Sequence, residues 1–156
     1  MLNKRRLLIL CLTVNLFTPI AQANHQAMIQ DAWVADAPPV ATIRAGYLKL
    51  INNGSHAISI KSFRSPDFAR VELHKTIVAD GMVKMEEVKQ LTIEAGDTVE
   101  FKPGGYHLML FNPRKKLKIG DQIKLHVLLK DHMQTIFSAV VRKRGATMEQ
   151  EHHHHH

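Results

Sequence analysis

An all-β fold, a sandwich or small barrel of short strands, is the class this sequence predicts. Apolar residues alternate in period two, as at Ile58 and Ile60 or at Tyr106, Leu108 and Leu110. Turns bearing Gly, Pro or Asn recur at near-regular intervals between these stretches. No window sustains the 3.6-residue periodicity of an amphipathic helix. At 156 residues the chain is long enough for one domain with a real core and too short for two.

The N-terminus stands apart from that domain. Lys4, Arg5 and Arg6 precede an apolar run at 7–20, and Ala21-Gln22-Ala23 follows as a small-x-small cleavage pattern. Residues 1–23 are therefore expected to be a secretory signal peptide, cleaved after Ala23. The run is short for a bilayer span and no stop-transfer segment follows, so no retained membrane anchor is expected. Cys11 lies inside that run without a lipobox before it, so lipidation is not expected either.

From Asn24 onward the chain has no cysteine. That excludes a structural disulfide, a thiolate nucleophile, a Cys-zinc site and the thiolate ligand of a blue-copper centre. The whole-chain charge is +7. Without the three basic residues of the leader, 18 Lys and Arg face 14 Asp and Glu, leaving +4 with His neutral. This mild excess is spread along the chain and gives no nucleic-acid footprint.

Taken in order, 29–37 carries the only tryptophan, Trp33, which is expected to anchor the core. A strand is predicted at 41–51, and Asn52-Asn53-Gly54-Ser55 reads as a hairpin turn returning into a strand at 57–63. Further strands are predicted at 69–79 and 82–88, joined by the Asp80-Gly81 turn. Short β elements at 91–93 and 98–101 follow, then the tight Pro103-Gly104-Gly105 loop and a strand at 106–111. A last hairpin spans 122–130 and 133–141 around Asp131-His132.

Four residues in this frame carry chemistry. His74, Met85, His107 and Met109 stand in the pattern H-x10-M-x21-H-x-M. Positions 74 and 85 lie nearly symmetrically about the Asp80-Gly81 turn, so a hairpin is expected to place them almost opposite each other, about 5 Å apart at Cβ. His107 and Met109, two apart on one strand, share a face. Two imidazoles and two thioethers form a soft, neutral set that suits Cu(I), whereas Mg and Ca want carboxylates. Thioethers also carry no proton to lose and cannot pair into disulfides in an oxidising compartment.

The same residues resemble the PCuAC (DUF461) family. Beside the four-residue motif, the resemblance rests on Val71-Glu72-Leu73-His74, on DGMVKM at 80–85 and on KPGGYHLML at 102–110. Ala32-Trp33-Val34, Tyr47 and Asn52 add to it. The resemblance implies a cupredoxin-like Greek-key β-sandwich or barrel at 24–143 and a periplasmic copper chaperone. It implies one Cu(I) held by His74, Met85, His107 and Met109, and the soft, neutral, loop-adjacent set is expected to form a shallow site on loops at one end of the sandwich. Delivery to the CuA centre of cytochrome c oxidase subunit II, with a Sco-type thiol protein in the same pathway, follows from the resemblance alone. A monomer is expected. The chain departs from the family where Lys75 and Thr76 stand in place of a methionine often found just after the first histidine.

Residues 144–156 read as a flexible Met- and His-rich tail, either native or a purification tag. Met148 with His152, His153, His154, His155 and His156 would form a secondary Cu(II) site. The rival reading is a copper-buffering or resistance protein that sequesters metal with the same site and this tail. No nucleophile elbow or paired catalytic carboxylates stand in a recognisable frame, so an enzyme is not expected.

Overall fold

The computed structural model describes residues 27–144. The expected signal peptide at 1–23, with Cys11, and the tail residues Met148 and His152 to His156 lie outside the described residues. All regular elements within them are strands: β1 (Ala27–Ala35), β2 (Ile43–Asn52), β3 (Ile58–Arg64), β4 (Phe68–Ala79), β5 (Met82–Glu87), β6 (Leu91–Ile93), β7 (Thr98–Phe101), β8 (Tyr106–Pro113), β9 (Gln122–Leu129) and β10 (Gln134–Arg142).

They form one sheet in the order β5-β4-β8-β7-β2-β1-β10-β9-β3-β6. Pairing of Phe63 on β3 with Val71 on β4 joins the two arms of the sheet, closing it into a barrel. Period-two alternation explains the core. Leu48 and Leu50 on β2, Leu108 and Leu110 on β8, and Leu125 and Val127 on β9 all point inward and are fully or almost fully buried. Burying side chains of this size contributes about 1.5–3 kcal/mol each, and that is what holds the strands in register. Gly46 lets β2 lie close against β8, because a Cβ there would sit 2.9 Å from Leu110 Cδ1 and 3.3 Å from Leu108 Cβ.

Two expectations change. Trp33 is not a core residue. The β1–β2 register shifts between Gln30 and Trp33, with Asp31 at a φ of 51°, and this bulge turns Trp33 to the outer face. There its ring lies 4.5 Å from that of Tyr47. The Asn52-Gly54 turn is not a hairpin either. β2 pairs with β1, β7 and β8, while β3 pairs with β4, β6 and β9. The turn carries the chain from one wall of the barrel to the other.

Asn52 itself is 0% exposed and works as a clamp. Its Nδ2 donates to the carbonyls of His56 at 2.8 Å and of Ile93 and Glu94 at 3.0 Å, while Oδ1 accepts from Gly54 N at 3.0 Å. Truncating it leaves buried backbone groups without partners. Asn52→Ala is expected to lose about 2–3 kcal/mol of unfolding free energy in urea denaturation, with an unchanged m-value.

Candidate metal centre

β4 and β8 pair antiparallel along their length, and the register sets His74 opposite His107 and Glu72 opposite Met109. Because Leu73 and Leu108 face the core, these four side chains stand together on the outer face of the barrel. β5 continues that face. Thr76 pairs with Met85, and His74 pairs with Glu87. His74 and Met85 are therefore diagonal neighbours, not directly opposed ones. The two-residue Asp80-Gly81 loop centres the hairpin so that 76 and not 74 faces 85. Diagonal positions are about 7–8 Å apart at Cα, still within reach of an unbranched thioether. The site also differs from the expected loop cluster, since all four residues lie within strands.

Thus the structure brings His74, Met85, His107 and Met109 onto one face of three adjacent strands. Met85, His107 and Met109 line a cavity of 370 Å³ with Ala45, Tyr47 and Thr76. His74 stands beside it, its ring centroid 6.1 Å from that of His107. Two imidazoles sharing one ion through bonds of about 2 Å have centroids no more than about 6 Å apart, so the pair stands at the outer edge of that range. Burial grades the donors. His107 is 6% exposed, the His74 side chain 14%, and Met85 61%. Burial pushes the Tyr47 phenol above its ordinary pKa, with Arg144 pulling the other way, so the cavity wall stays uncharged there at neutral pH.

The hydrogen bonds decide which nitrogens are free. His107 Nδ1 lies 3.0 Å from the carbonyl oxygen of Gly105 and donates to it, which leaves Nε2 as the lone-pair atom. That carbonyl also accepts from Thr76 N at 3.1 Å, so β4 and the ring share one anchor. Gly104, with a φ of 78°, allows the turn that presents it. His74 Nε2 lies 2.9 Å from Glu72 Oε2, and among the described residues His74 Nδ1 is buried with no hydrogen-bond partner. A buried unpartnered nitrogen is costly on its own, and a metal ion would satisfy it.

Among the described residues no three or more His, Cys, Asp or Glu are grouped so as to hold a metal ion. The two imidazoles need the thioethers, which makes the set soft and neutral and a fit for a monovalent soft cation. Sequence reasoning missed the Gly105 carbonyl and the Glu72 contact. Glu72 was legible as a residue two before His74 on the same strand face; the carbonyl had no side-chain signal at all.

The sequence model of the LpqE-like family, described as "Putative lipoprotein LpqE-like", matches residues 27–141. The chain is 32% identical over 98 residues to "Uncharacterized protein RP573" of Rickettsia prowazekii, which covers 62% of this chain and 54% of that protein. It thus spans about half the length of that relative. Among solved structures, CuI-DR1885 from Deinococcus radiodurans superposes with a TM-score of 0.63 at 29% identity, over 80% of this chain and 83% of that one. The copper-bound PCuAC domain from PmoF2 superposes with a TM-score of 0.63 at 17% identity, over 76% and 93%, and shows the shared fold.

Exposure of the thioethers gives a direct check of the arrangement. In metal-free protein treated with mild peroxide, Met82 and Met85 on the outermost strand are expected to convert to sulfoxide well before Met109, as read by peptide mass spectrometry.

Proposed function

Since the chain belongs to the LpqE-like (PCuAC, DUF461) family, we propose that it is a non-catalytic, exported copper carrier that binds one Cu(I) through His74, Met85, His107 and Met109 in the periplasm. The observation that supports this most is the pair of free imidazole nitrogens. His74 Nδ1 is buried without a partner, and the hydrogen bond of His107 Nδ1 to Gly105 leaves its Nε2 open beside two thioethers. The copper-bound states of DR1885 and the PmoF2 domain support the choice of metal. The lipoprotein description of the family and the leader at 1–23 support export.

The cargo is passed on by ligand exchange. Met85 sits on β5, the outermost strand, where every residue is exposed, so an acceptor displaces it first. Met109 follows, and the histidines, held by their second nitrogens, let go last. Four neutral donors leave the charge of the ion uncompensated, which keeps the complex releasable. The acceptor is the CuA centre of cytochrome c oxidase subunit II, with a Sco-type thiol protein acting in the same pathway.

Anaerobic Cu(I) titration against a chromophoric chelator tests the site. The Met85→Leu, Met109→Leu double variant is expected to bind more than about a hundredfold more weakly than the wild type, and unchanged affinity would sink the assignment. Mixing the loaded protein with the metal-free CuA domain then separates the roles. A carrier gives up its copper; a buffer that merely sequesters the metal keeps it.

A further inference from the structure

Glu72 is outside the donor set, yet it holds one of its members. Its Oε2 lies 2.9 Å from His74 Nε2, and its Oε1 forms an ion pair with Arg70 Nε at 2.8 Å. The Arg70 guanidinium lies 4.2 Å from the centroid of the Phe111 ring, which keeps it over the strand. Alternation along β4 puts Arg70, Glu72 and His74 on one face, with Glu72 opposite Met109.

A neutral imidazole can carry its proton on either nitrogen, and its hydrogen-bond partner decides which. An ionised carboxylate only accepts. With both of its oxygens engaged, one by Arg70 and one by His74, Glu72 requires the proton of neutral His74 to sit on Nε2. The lone pair is then left on Nδ1, the buried atom that has no partner. As an ordinary exposed ion pair, Arg70–Glu72 would contribute little to stability and would say nothing about the ring.

We propose that Glu72, braced by Arg70, is a positioning residue that selects Nδ1 of His74 as its metal-donor atom. This rests on the copper reading above. It also makes a sharp distinction between two small changes. In Glu72→Gln the amide has one accepting oxygen, and Arg70, which only donates, claims it. The amide NH2 then turns to His74 Nε2, which must accept, and the proton moves to Nδ1 and blocks it. Glu72→Ala leaves the ring without a partner and the two tautomers mixed.

Histidine 15N NMR of the metal-free protein at mildly alkaline pH reads the tautomer, and chelator competition reads Cu(I) affinity. Expected are the Nε2–H form in the wild type, the Nδ1–H form in Glu72→Gln and a mixture in Glu72→Ala. Affinity should fall about 10- to 100-fold, with Glu72→Gln at least as weak as Glu72→Ala. Glu100→Gln, which removes an equal charge from the Lys102 pair, should change neither. Backbone amide spectra confirm the fold of each variant. A His74 tautomer unchanged in both Glu72 variants, or affinity within about twofold of the wild type, overturns the proposal. Tautomers that shift as expected in a protein with no Cu(I) affinity would overturn the copper reading instead.

Discussion

The antiparallel ladder between β4 and β8 is the constraint on which the rest of this structure depends. It sets His74 against His107 and Glu72 against Met109, so three candidate donors and one supporting carboxylate are placed by a single register. A slip of one residue would turn these side chains into the core and bring Leu73 and Leu108 out to water. The penalty for exposing buried leucines of this kind, about 1.5–3 kcal/mol each, locks the ladder in place. Core packing on one side of the strands thereby fixes donor geometry on the other.

Closure of the barrel gives that ladder its rigidity. β8 is held on its far side by β2, with Gly46 allowing close approach, and β4 is tied to β3 through Phe63 and Val71. Among the described residues β5 has no such second neighbour, since it ends the sheet. The outer face thus combines two well-held histidines, a half-buried methionine and one exposed methionine on an edge strand. Such a gradient suits a carrier: strong holding would need all four donors fixed, whereas transfer needs at least one that a partner can reach.

Much of this was legible in the residues. Alternation and turn chemistry located the strands from 41 onward to within two or three residues, because each strand has one buried and one wetted face and period two is the direct imprint of that. The sharing of one face by His107 and Met109 followed from the same rule. Trp33 was misplaced because alternation carried on from Ala27 and Ile29 reads it inward, and only the bulge at Asp31 turns it out. The Asn52 turn was misread because Asn-Gly chemistry favours a hairpin, and only long-range bonds to Ile93 and Glu94 show that this asparagine clamps a crossover.

By itself, then, the sequence determined the class of fold, the candidate soft donors and the absence of a cysteine from Asn24 onward, since these depend on composition, spacing and alternation. The tertiary structure decided which strands are neighbours, and with them the diagonal placement of Met85, the burial of His107 and the free nitrogen on each ring. Those properties rest on partners distant in sequence or on backbone atoms: the Gly105 carbonyl, the Glu72 carboxylate and the closing contact of β3 with β4. A local pattern records which way a side chain points; what it meets there depends on the whole barrel.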